Sequence, residues 1–448
     1  MLFGPVRFLH AANLWVDHPL SGTGPLSGGN RQTAEEATLT AFSHMVAAAI
    51  EYKVDFLLLA GNVFDDEDRS VRARVALRDG FGRLGQQQIR VFVTPGHADP
   101  PDAWRDVPHL PENVTILFPG DRDSVAVIRD GRVIASVAAG GIPDGHGLPG
   151  ELSSTVETAT QAAAPAGTAR PDDNRQRGPF AVVVNSSASL SSEQLNSDSC
   201  DYIALGGDRR RQTISTAAGI AHHPGSTQGL SCAEAGPHGC TLVEVDSDRR
   251  IDTRFVLTAP VRWENPTVAV GRQTTREELQ EQMEILFETI GPESAEALRL
   301  ITWQVTGYGR LFDLLGEDDG LWLELVDALR RRFERDDQHP AVIHRFRLIP
   351  QLTPEAPNPD GSSAVGPEAS DNRLAGEFTR MIVDECLLSP GALEDCLKTI
   401  SGLDPAHTER LQSLLPNLDR TTIQATACRL GRRWFARVSE EEICHENG

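Results

Sequence analysis

Aspartates and histidines that could hold a divalent cation gather at the ends of apolar runs in the first half of this 448-residue chain. Asp17 and His18 follow the run at 6–9, Asp65 follows 54–60, and His97 and Asp99 follow 89–94. Asp208, His222 and His223 come after a fourth run, 201–205. Carboxylates and imidazoles together suit a divalent transition ion, which polarises a phosphoryl oxygen and lowers the pKa of a bound water. Asp17, His97 and Asp99 are the residues on which one such site would draw. The competing reading is local, because an aspartate just after a strand commonly caps the following loop or helix. Arg209, Arg210 and Arg211 form a short basic run, suited either to an anion such as a phosphate backbone or to ion pairs on a solvated turn. Other chemistries lack their motifs. Ser186, Ser187 and Ser226 do not sit in a G-x-S-x-G elbow, and no G-x-x-x-x-G-K-[ST] loop occurs.

The elements that must position these groups follow from periodicity. Residues 6–9 read as a short strand and 33–49 carry helical spacing. The nearly continuous apolar run at 54–60 predicts a strand buried on both faces. Residues 70–84 read as a helix and 89–94 as another buried strand. Strands alternating with helices indicate an α/β sheet, whose chemistry sits in the loops after the strands. Residues 151–178, rich in Ala, Thr, Pro, Gln and Asp, read as a mobile insertion. Strands resume at 180–184 and 201–205, and two more near 241–245 and 253–257 close a first domain of residues 1–262.

A smaller α+β unit is expected over 263–350. Thr275 and Glu278 have capping-box spacing, and Leu279, Met283, Leu286 and Ile290 then share one helical face. Strands are expected at 267–270, 298–306 and 342–348, with a helix at 321–333. Residues 351–372 are rich in Pro, Gly and Ser and read as a linker, and 373–448 as helices suited to docking a partner.

Composition narrows the partners. The formal charge of −22 repels phosphate backbones at long range and argues against general nucleic-acid binding. Basic residues are almost all Arg, Lys53 and Lys398 being the exceptions. Seven scattered cysteines without a C-x-x-C argue against a disulfide framework or zinc site and for reduced, cytoplasmic thiols. No run of 18 apolar residues predicts a membrane span, and the first residues do not read as a signal peptide.

Five strand ends carry a resemblance. They read F-L-H-A-A-N-L-W-V-D (8–17), L-A-G-N-V-F-D (59–65), T-P-G-H-A-D (94–99), V-V-N-S (183–186) and Y-I-A-L-G-G-D-R-R-R-Q (202–212), the last followed by H-H-P-G-S-T-Q-G (222–229). In order and spacing, over about residues 5–260, they resemble the calcineurin-like metallophosphoesterases, and within them the SbcD/YhaO-type DNA-repair exonuclease subunits. The resemblance implies a four-layer α/β/β/α sandwich followed by a small α+β cap and a helical C-terminal region. It also implies a metal-dependent DNA exonuclease activity, with two Mn²⁺ or similar ions. Where that family reads A-D-x-H, G-D-x-F-D, G-N-H-D, a lone His and G-H-x-H, this chain departs from it at every ligand. Asn13 stands for the first Asp and Trp15 for the first His; an indole N–H only donates. Asn62 stands for the bridging Asp, His97 for the Asn ligand and Ala98 for the His that assists the leaving group. Asn185 replaces the lone His, and Gly207 and Arg209 replace the final pair.

A site stripped of both carboxylates, with a guanidinium added, lacks the charge that two divalent ions need. The expectation is therefore a catalytically degenerate subunit with no resident metal, acting as a scaffold or regulator. By resemblance its partner is a coiled-coil ATPase of the SbcC/YhaN-like type, with homodimerisation also implied. Two other readings stand beside it. One is an exonuclease or phosphoesterase with a rebuilt Mn²⁺ site, and the other a DNA-binding module without catalysis. Trp15 is expected to fill the vacated cavity, with a base-stacking platform as the alternative.

Overall fold

In a computed structural model the chain is described over residues 4–26, 28–105, 107, 109–118, 124–140, 179–187, 200–216, 219–291, 296–317, 319–333 and 341–350. The expected insertion at 151–178, the linker at 351–372 and the helices of 373–448 lie outside the described residues. Two compact units are present. The first is Met1–Asn265 with Pro292–Thr302 and Asp336–His344; the second is Pro266–Gly291 with Trp303–Arg335 and Arg345–Gly448.

Two six-stranded sheets make the first unit. One runs β12-β11-β1-β2-β3-β4, where β1 is Val6–Ala11, β2 Phe56–Ala60, β3 Arg90–Thr94, β4 Val114–Ile116, β11 Gly239–Val245 and β12 Ile251–Leu257. The other runs β5-β6-β7-β8-β10-β9, comprising Val125–Arg129, Arg132–Ala139, Phe180–Asn185, Tyr202–Leu205, Arg211–Ser215 (β9) and Ile220–Pro224 (β10). Strands β1 to β4 are parallel neighbours, linked through α1 (Gly28–Glu35), α2 (Ala37–Glu51), α3 (Val71–Gln86) and the short α4 (Pro101–Arg105).

Alternation along β2 explains the layering. Leu57 and Leu59 pack with Phe42, Met45, Leu77 and Phe81 of the helices, whereas Phe56, Leu58 and Ala60 pack with Phe180, Val182 and Tyr202 of the second sheet. A strand whose two faces are both buried has no polar alternation to show, hence the continuous apolar run. Aromatic rings tie the sheets together. Phe8 stacks on Phe56 at 4.8 Å and meets Tyr202 edge-on at 5.2 Å. On the opposite face of the second sheet, Val183, Cys200, Ile203, Leu205 and Ala221 form their own buried cluster. This is a mixed α/β unit built on two six-stranded sheets. In the same unit β13 (Val261–Glu264) pairs in parallel with Leu298–Ile301, beside the buried Glu296, which binds both Arg262 and Arg299.

The second unit opens with β14 (Thr267–Val270), parallel to Gln304–Gly307 of β15 (Leu298–Gly307), and α5 (Arg276–Ile290). Thr275 and Glu278 close the expected capping box. The buried face of α5 is Leu279, Met283 and Phe287, with Leu286 and Ile290 only partly buried. Helices α6 (Arg310–Glu317) and α7 (Asp319–Phe333) follow, then β16 (Ala341–Pro350). Trp322 of α7 stacks on Phe346 at 4.5 Å.

Candidate functional site

Five strand ends of the first unit converge on one spot, and glycines make the approach possible. A Cβ on Gly206 would lie 1.8 Å from the Ala60 carbonyl oxygen, and one on Gly96 would lie 2.4 Å from the Asn62 nitrogen. Gly61, at φ +80°, has no room either, since its Cβ would meet Ser186 at 2.7 Å. The loops that carry Asn13, Asn62, Ala98, Asn185 and Gly207 are thus brought together as the motif order predicts. Asn13, Trp15, Asp17 and Asn62 all lie in the left-handed region, with φ of 51, 48, 66 and 54°.

At the centre two amides replace charge with a closed set of hydrogen bonds. Asn62 Nδ2 donates to Asn13 Oδ1 at 2.9 Å, and Asn13 Nδ2 donates to the Asp208 carbonyl at 2.8 Å. Asn62 Oδ1 accepts from the Ala98 N–H at 3.1 Å. Two carboxylates facing each other here would repel and require a cation between them. Two amides satisfy one another instead. Asn185 turns its Oδ1 onto the Ser187 N–H at 2.9 Å. The donor set therefore does not fit a pair of divalent ions, because it offers neutral oxygens already in use and no carboxylate at these positions.

The wall beside this centre is cationic and aromatic. Arg209 pairs with Glu234, whose other oxygen accepts from Ser226 Oγ at 3.1 Å. Its guanidinium lies over the Trp15 ring, 5.3 Å from the centroid. The Trp15 ring is half-buried, with His18 5.3 Å away on another side. Its Nε1 is buried and has no hydrogen-bond partner among the described residues. The three arginines do not act alike. Arg210 is exposed, while Arg211 opens β9, bonds Thr241 Oγ1 at 3.4 Å and lies over Phe255.

The proposed trio Asp17, His97 and Asp99 does not come together as a metal site, and its carboxylates are engaged elsewhere. Asp99 is buried and accepts from the N–H groups of Asn62, Val63 and Gly96 and from Trp104 Nε1, at 2.7–3.1 Å. Burial pushes its pKa up to about 6, against the pull of those four donors. Asp17 accepts from Ser70 Oγ at 2.5 Å and lies 3.6 Å from Arg72. His97 is exposed. The loop-capping reading of these aspartates is the one the geometry favours.

Histidines 222 and 223 are interior residues, on a strand for which the sequence analysis, with nothing expected between 205 and 241, gave no sign. His222 sits between Thr213 Oγ1 and Thr241 Oγ1, each at 2.8 Å, and burial, then the Arg211 charge and His223, holds its pKa down to about 3. His223 bonds the Gly206 carbonyl at 3.0 Å. His10 bonds the Tyr202 hydroxyl at 2.9 Å, and its ring lies 5.9 Å from that of His222. A different trio does converge. His18 Nδ1 lies 3.0 Å from Asp68 and 3.9 Å from Asp65. Asp68 was overlooked in the sequence, although the acidic run 65–68 directly after a strand-end motif was the available signal.

No protein-family model matches the chain. It is similar to the uncharacterized metallophosphoesterase YhaO of Bacillus subtilis (strain 168), at 29% identity over 354 residues, covering 78% of this chain and 83% of that protein. Among solved structures, a dimetal phosphatase from Danio rerio aligns over 56% of this chain and 95% of its own, with a TM-score of 0.32 and 9% identity. The match to the Bacillus protein runs over most of both chains, so the resemblance read from the five strand ends extends to a metallophosphoesterase along most of its length.

Proposed function

We propose that this chain is a metallophosphoesterase-fold subunit without dimetal hydrolysis, which serves as a scaffold or regulator. One observation carries the reading: the amides of Asn13 and Asn62 bind each other at the two positions where the resemblance requires aspartates. Arg209, next to the Asp208 carbonyl that holds Asn13, offers a guanidinium paired with Glu234 where the resemblance requires an imidazole ligand, and a guanidinium only donates. The partner expected from the resemblance is a coiled-coil ATPase of the SbcC/YhaN-like type in the cytoplasm, with a second copy of this chain in the assembly. The direct test is hydrolysis of bis(p-nitrophenyl) phosphate and of linear duplex DNA by the purified full chain, with and without Mn²⁺. Turnover at background level is the expected result. Mn²⁺-dependent turnover that disappears in Asn62→Ala would overturn the proposal.

A further inference from the structure

The structure carries a second, separate cluster with ligand chemistry, on the loops after β1 and β2. We propose that His18, Asp65 and Asp68 bind a single divalent transition ion of the Zn²⁺ or Mn²⁺ kind, outside the vacated dimetal centre. One ligand atom from each residue lies within 4.8 Å of the others. Ion–ligand bonds of about 2.0–2.2 Å hold neighbouring ligands about 3–3.5 Å apart, and the 3.0 and 3.9 Å separations from His18 Nδ1 bracket that spacing. One imidazole with two carboxylates suits such an ion, and leaves coordination positions for water. The two carboxylates lack any other counter-charge within ion-pair distance among the described residues. Arg72 is directed at Asp17 and Arg74 at Asp66.

Two further features support a built site over a casual ion pair. The His18 backbone is held at both ends, its N–H on the Trp15 carbonyl at 2.9 Å and its carbonyl accepting from Thr38 Oγ1 at 3.1 Å. Beside it lies the Trp15 indole, whose buried Nε1 has no acceptor among the described residues. A water or hydroxide on a neighbouring cation is an acceptor of the kind that donor lacks. The three side chains are 20–47% exposed, so an ion reaches them without unfolding.

The test is calorimetric titration of the full chain with Mn²⁺ and, separately, Zn²⁺, supported by electron paramagnetic resonance of the bound Mn²⁺. One ion per chain is expected. Since loss of a mere supporting residue weakens metal sites about 10–100-fold, His18→Ala and the conservative Asp65→Asn should each weaken binding at least about tenfold. His97→Ala should leave it unchanged, and circular dichroism of each variant would check folding. Absence of binding at millimolar ion, or one ion retained at full affinity in His18→Ala, overturns this site and leaves the non-catalytic reading standing. Two ions per chain, insensitive to His18→Ala and accompanied by phosphodiester turnover, would overturn both.

Discussion

Asparagine is the change that removes an aspartate's charge while disturbing its backbone least. Asn13 and Asn62 sit at φ 51 and 54°, a region that Asn and Asp tolerate better than other non-glycine residues. The side chains keep their size, and the new N–H groups find acceptors, that of Asn62 on Asn13 Oδ1 and that of Asn13 on the Asp208 carbonyl. Restoring one carboxylate alone should therefore harm the protein. In Asn62→Asp an oxygen would face Asn13 Oδ1 in place of a donor. Stability is expected to fall by about 1–3 kcal/mol, read from the urea midpoint, with no Mn²⁺-dependent turnover gained. Asp99 illustrates the reverse case. Its carboxylate satisfies three backbone donors and the Trp104 indole, so Asp99→Ala would strand them in a buried loop at a cost of more than about 3 kcal/mol. A urea midpoint within experimental error of the parent would refute that role.

At the scale of elements, the loop after β1 is fastened to the start of α3. Ser70 accepts from the Ala73 N–H at 3.0 Å as the helix cap and donates to Asp17. Removing both bonds in Ser70→Ala should cost about 1–2 kcal/mol, measurable by thermal melting. Gly206 is less forgiving, because a methyl there meets the Ala60 carbonyl. Gly206→Ala is expected to lose about 3 kcal/mol or more, or to be recovered only as insoluble protein; a soluble variant with parental melting would refute the close approach. The strands bearing these loops were legible because 54–60 and 89–94 are unbroken apolar runs. Strands β9 and β10 were not, since Arg211-Gln-Thr-Ile-Ser and Ile220-Ala-His-His-Pro carry polar residues whose burial depends on partners in a distant strand, such as Thr241. For the same reason the ligand positions could be read from motif order, while the engagement of Asp17 and Asp99 could not. Their partners, Ser70 and Trp104, have no signature in the motifs.

Across the first unit as a whole, the interior imidazoles should dominate the acid response. Burial, with His222 and His223 nearby, keeps His10 well below its ordinary value, and burial also lowers His223. Each is neutral when folded but takes a proton when unfolded below about pH 6.5. Their contribution is present above that pH and is lost as pH falls toward the folded values, about 3 for His222. Asp99 opposes them, because its raised pKa favours the folded state below about pH 6. His222 alone should account for about 2 kcal/mol between pH 7 and 5, so the urea midpoint is expected to drop over that interval, and to drop less in His222→Asn. Equal midpoints at both pH values would contradict the assignment. The crowding of Gly61, Gly96 and Gly206 has a kinetic counterpart. Backbone packed that closely across two sheets leaves no room for one sheet to loosen while the other stays formed. The amides of Asn62, Ala98 and Gly206, bonded across those strand ends, should then exchange their hydrogens for deuterium only when the entire sandwich opens.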